Sequence, residues 1–75
     1  MSKDHKNIRF GVMAVKLGFL SSDQLIHALE VQVQENLTKG EHRMIGMILL
    51  EQGRLTLDQI DQILLALDKE MNTAS

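Results

Sequence analysis

Arg9 and Gln32 are the two side chains in this chain whose chemistry and spacing best suit directional recognition of a ligand. A guanidinium fork can grip a phosphate, or the O6/N7 edge of a guanine, through two parallel hydrogen bonds. Gln32 follows Leu25, Ala28 and Leu29 at i, i+3, i+4 and i+7, so it closes an otherwise apolar helical stripe. A glutamine there could supply a second directional contact. The same two residues also fit a simpler description, a solvated arginine and a glutamine at a helix end.

Other groups offer less. His5, His27 and His42 fall on a tail, a helix and a loop, and no H-x-x-x-H or H-x-x-E spacing joins them. No metal site is expected, and the chain has no cysteine for a thiolate site or a disulfide. The carboxylates are scattered singly at helix starts and on polar faces. Ser21, Ser22 and Thr56 stand where hydroxyls cap helices. No nucleophile with a base, no acid–base pair and no P-loop is present, so no enzyme and no cofactor is expected.

The elements that position Arg9 and Gln32 come from a duplication. Arg9 to Gln32 and Met44 to Leu67 are two copies of a 24-residue pattern offset by 35. Gly11/Gly46, Gly18/Gly53, Leu20/Leu55, Asp23/Asp58, Gln24/Gln59 and Leu29/Leu64 are identical, and Phe10/Ile45, Ser21/Thr56 and Leu25/Ile60 keep their character. Such a period marks one supersecondary unit used twice, neither able to bury its apolar face alone. The chain is expected to be a single all-α domain of four helices, built from two helix-turn-helix hairpins.

Helix 1 is expected from Asn7 or Ile8 to Leu17 after a frayed polar tail over residues 1–6, with Gly18 as its C-cap. Ser21-Ser22-Asp23-Gln24 is a capping box, and helix 2 runs from there to Asn36. A linker over 36–42 divides the repeats. Helix 3 is expected from Glu41 to Gln52, closed by Gly53. Thr56-Leu57-Asp58-Gln59 is the second capping box, opening helix 4 from Leu57 to Met71, with a tail over 72–75. Ile60, Ile63, Leu64 and Leu67 form a helical stripe, while Val12, Val15, Ile48 and Leu49 give the short helices apolar faces.

Helix 4 is apolar without a break from Ile63 to Leu67, more than one stripe requires. Ile26, Leu65 and Ala66 are therefore candidates for an intermolecular surface, and a homodimer is expected. Gly11 and Gly46 lie inside helices, where glycine costs about 1 kcal/mol relative to alanine. A shared reason is called for, either helix–helix packing or close approach of a backbone or flat ligand.

Apolar residues make up 44% of the 75, almost all Leu, Ile, Val and Met, and proline is absent. Net stability of about 5 kcal/mol is expected at this size. A net charge of −2 provides no footprint for nucleic acid. A DNA-reading helix-turn-helix is also disfavoured, since the second helices carry Asp23, Glu30 and Glu35 or Asp58, Asp61 and Asp68. No segment approaches the ~20 apolar residues of a membrane span, so no membrane insertion is expected and the expected location is the cytoplasm. The Met1 start and polar tail suit an independent small protein.

Arg9-Phe10-Gly11, Ala14-Val15, Gly18, Phe19-Leu20, Leu25, Ala28-Leu29 and Gln32 together resemble the motif R-L-G-x-x-L-x-x-x-G-x-I/L-x-x-x-x-L-x-x-A-L-x-x-Q. That motif marks the MshEN family, the N-terminal domains of type II secretion and type IV pilus assembly ATPases in bacteria. This chain looks like a stand-alone short form of it. In the family, two such motifs bind cyclic di-GMP through apolar contacts plus the Arg and the Gln. Carried over, the implied contacts are Arg9, Phe10, Gly11, Ala14, Leu25, Leu29 and Gln32, with Gly46, Leu49, Ile60 and Leu64 from the second copy. Met44 stands where the second motif would have Arg, and Leu67 where it would have Gln. Arg43 is adjacent to Met44, but one residue along a helix turns a side chain by about 100°. Two functions follow from the resemblance. One is a protein-interaction module that docks on a partner, secretion or pilus machinery among them, or on itself. The other is a cyclic di-GMP sensor using the first motif.

Overall fold

Reciprocal side-chain caps start the two long helices. The Ser21 hydroxyl accepts from the Gln24 N–H at 3.1 Å, and the Gln24 amide oxygen accepts from the Ser21 N–H at 3.0 Å. Thr56 and Gln59 repeat the arrangement at 3.2 and 3.0 Å. Each box satisfies two backbone donors that a helix start leaves unpaired. The short helices end alike. Phe19 N–H donates to the Ala14 carbonyl and Arg54 N–H to that of Leu49, each across a glycine with positive φ, 81° at Gly18 and 74° at Gly53. These are Schellman closures, whose left-handed residue favours glycine.

The computed structural model describes residues 2–40 and 43–73, with side chains over 8–40 and 43–70. It contains α1 (Ser2–Lys16), α2 (Ser22–Lys39), α3 (Ile45–Glu51) and α4 (Leu57–Thr73), with no strand among the described residues. The domain is all-α, as expected. Several boundaries differ from the sequence expectation. α1 begins at Ser2 and not at Asn7 or Ile8, so residues 2–6 of the expected frayed tail are helical. That segment holds neither proline nor glycine, and polarity decides which residues are buried more than whether a helix continues. α2 passes Asn36 and stops at Gly40, whose φ of 68° lets its N–H donate to the Asn36 carbonyl. The expected linker over 36–42 therefore starts four residues late, and Glu41 and His42 lie outside the described residues. α3 starts at Ile45 after Met44, which has no side-chain cap to offer. α4 continues to Thr73, two residues into the expected tail, of which Ala74 and Ser75 lie outside the described residues.

The helices pack across the repeats. α1 and α3 lie against each other at the centre; α4 packs on α1, and α2 packs on α3. Contacts between α1 and α2 are sparser, and among the described residues α4 hardly touches α3. Each long helix is thus held mainly by the short helix of the other copy. Phe10, Met13, Ala14, Leu20, Leu25, Ala28, Ile45, Ile48, Leu49, Leu55 and Ile63 form one core. Fully burying a side chain such as Ile45 or Ile63 contributes about 1.5–3 kcal/mol.

Two members of the expected apolar faces stand outside this core. Leu64 is exposed because the buried stripe of α4 centres on Ile63 with Ile60, Ala66 and Leu67 beside it. A turn of about 100° from Ile63 carries Leu64 off that stripe. Val12 on α1 is exposed as well. No described helix is long and apolar enough to cross a membrane.

Candidate functional site

The two repeated helix glycines have a shared reason, and it is packing. A Cβ on Gly11 would collide with both methyl carbons of Leu25 from α2. A Cβ on Gly46 would come within 3.1 Å of the Phe10 ring from α1. Phe10 therefore keys the first copy onto the second, while Leu25 keys α2 onto α1. What approaches each glycine is a side chain, where the sequence left a backbone or a flat ligand open.

This packing divides the residues that the motif implicates. Phe10, Gly11, Ala14, Leu25 and Leu49 are buried, and Leu29, Gln32, Gly46 and Ile60 are partly buried. Arg9 and Leu64 reach the surface. The apolar motif positions thus converge on the junction between the copies, with Arg9 at its edge. Of the interaction candidates, Ile26 and Leu65 are 55% and 65% exposed, whereas Ala66 is partly buried against the core.

Arg9 leaves α1 toward α4, where one guanidinium nitrogen lies 3.5 Å from a Glu70 carboxylate oxygen. Lys16 lies 4.0 Å from the other oxygen of the same carboxylate. These exposed pairs are screened by water and each contributes well under about 1 kcal/mol.

Gln32 has a defined structural role. Its side-chain amide donates to the Arg43 carbonyl at 2.9 Å. That carbonyl precedes the first residue of α3, so it lies outside the helix ladder and needs a donor from elsewhere. The equivalent position in α4 is Leu67, which is partly buried against the apolar core. The matching carbonyl there, that of Ile8, lies inside the continuous helix α1 and needs no outside donor. Gln in one copy and Leu in the other follow from this difference in the partner backbone.

Arg43, set aside in the sequence because it is one residue out of register, is held by two carboxylates. Its Nε donates to Glu35 at 2.9 Å, a second nitrogen donates to the other Glu35 oxygen, and a third lies 3.1 Å from Glu51. The hydrogen bond from Arg43 holds the Glu35 carboxyl below its usual value of about 4.5. The same bonds to Glu35 and Glu51 raise the Arg43 guanidinium above its ordinary value. Glu35 and Glu70 are themselves 35 residues apart. The Arg43–Glu35 and Arg9–Glu70 pairs are therefore related contacts, each tying a long helix to the other copy, through Arg43 just before α3 and through Arg9 in the middle of α1. Carrying the offset three residues past Gln32 and Leu67 would have revealed it. The 100° rule does not apply at Arg43, because Arg43 and Met44 precede the helix.

Comparison with protein-family models, curated proteins and solved structures finds no match to this chain.

Proposed function

We propose that this chain is a non-enzymatic protein-interaction module, a short relative of the N-terminal domains of secretion and pilus assembly ATPases. The observation that supports it most is the pair Ile26 and Leu65. Each is more than half exposed on a long helix whose opposite face already fills the core. Exposed apolar anchors on helices suit helix-in-groove contacts with a second copy or with a platform protein. Arg43 and Gln32, the other polar groups at the junction, are engaged in joining α2 to the entry of α3. The test is Ile26→Glu and Leu65→Glu, followed by sedimentation and by binding to secretion or pilus platform proteins. At least one variant should lose self-association or partner binding while keeping its helicity. Unchanged behaviour of both would remove the basis for the module.

The second reading, a cyclic di-GMP sensor, draws on Arg9. Its guanidinium is 51% exposed and held by a surface carboxylate alone among the described residues, at 3.5 Å, so an anionic ligand could compete for it. Titration calorimetry with cyclic di-GMP checks this: binding should be present in the parent protein and abolished by Arg9→Ala. Retained affinity in the variant would exclude the proposed site.

A further inference from the structure

We infer that the outer face of α2 is a seam for a second copy of this chain, docked antiparallel about a two-fold axis. This inference deepens the interaction-module reading and rests on it. Ile26, Val33 and Leu37 are 55%, 56% and 80% exposed. They project within about 40° of one another around α2, while the buried Leu25 and Ala28 lie about 80° or more away. α2 is therefore apolar on two faces, and the fold covers one.

The duplication supplies an internal control. The positions 35 residues on, in α4, are Asp61, Asp68 and Asn72. The same architecture thus accepts exposed acidic side chains at Asp61 and Asp68, so folding does not require an apolar residue at the matching positions Ile26 and Val33.

Spacing and charge select the occupant and its direction. Ile26, Glu30, Val33 and Leu37 are separated by four, three and four residues, the alternation of a two-helix seam. In a parallel, in-register pair the two Glu30 carboxylates would face each other and repel. An axis between Val31 and Gln32 instead sets Ile26 across from Leu37 and Glu30 across from Val33, so each residue meets its complement in an identical chain. The Glu30 methylenes can then cover Val33 while the carboxylate stays in water, near its own His27 at 3.9 Å. Three apolar side chains per copy fall short of the roughly 1,200 Å² of a stable interface, so the dimer is a transient one.

The test uses the whole chain at micromolar to millimolar concentration in sedimentation equilibrium. Self-association should be present and should weaken by roughly tenfold or more in Val33→Glu, with helicity unchanged. Leu65→Glu should leave it intact. Because the chain has no cysteine, a mixture of Ile26→Cys and Leu37→Cys should form a mixed disulfide, with neither variant bridging efficiently alone. A strictly monomeric parent, an unaffected Val33→Glu, or efficient bridging of Ile26→Cys to itself would overturn the seam. Dissociation by Leu65→Glu would overturn it too, yet leave the module reading standing with its contact on α4. A monomer that binds a platform protein through Ile26 would likewise separate the two, by assigning the face to a different partner.

Discussion

Gly11 and Gly46 occupy equivalent positions in two copies of one pattern, yet the neighbours they face differ in how far they would have to yield. Alanine would gain about 1 kcal/mol of helix propensity at either position. At Gly11 the new methyl would overlap Leu25, a core residue with little room to retreat, and overpacking of this kind costs about 1–3 kcal/mol. At Gly46 the nearest atom is the edge of the Phe10 ring at 3.1 Å, which needs to shift only a few tenths of an ångström. Urea denaturation should therefore show Gly11→Ala clearly destabilised, by about 1–2 kcal/mol, and Gly46→Ala within about 0.5 kcal/mol of the parent. Equal losses in the two variants would mean that the glycines answer to a demand other than these neighbours.

Helices here are joined at their ends by polar contacts that the duplication only half predicts. Arg43 binds Glu35 on α2 and Glu51 on α3, so a non-helical segment is fastened to both elements it lies between. Glu35 titrates lower in the folded chain than in the unfolded one. Its contribution is thus fully present above the unfolded value of about 4.5 and is lost as pH falls through the folded value. Thermal unfolding of the parent should accordingly lose stability below about pH 4.5, and Glu35→Gln should flatten that part of the profile. An identical acid limb in the variant would place the sensitivity in other carboxylates. The boxes at Ser21 and Thr56 were legible because an N-cap needs only residues three apart. The Gln32 contact spans 11 residues and depends on where α3 begins, which local spacing does not reveal.

Across the whole molecule, the two copies are interleaved. α4 lies on α1 and α2 on α3, so neither hairpin holds its own core together. A chain ending at Gly40 would leave Phe10, Met13 and Ala14 without the α3 and α4 surfaces that cover them. Such a fragment should show weak helicity and no cooperative transition by circular dichroism, while the full chain melts in one step. A cooperative melt of the fragment would show that one repeat folds unaided.

Helix count, both Schellman glycines, both capping boxes and the core positions Leu25, Ala28, Ile48, Leu49 and Ile63 were determined by the sequence alone, because caps and apolar periodicity act within one or two turns. The placement of Leu64 and Val12 at the surface, the packing of the glycines against Leu25 and Phe10, and the use of Arg43 were decided only by tertiary structure. Each depends on which helix lies opposite, and that choice is made between residues distant in the chain. The open apolar row on α2 belongs to both levels. Its residues and their acidic counterparts on α4 are plain in the sequence, but their exposure follows from α2 packing on α3 through its other face.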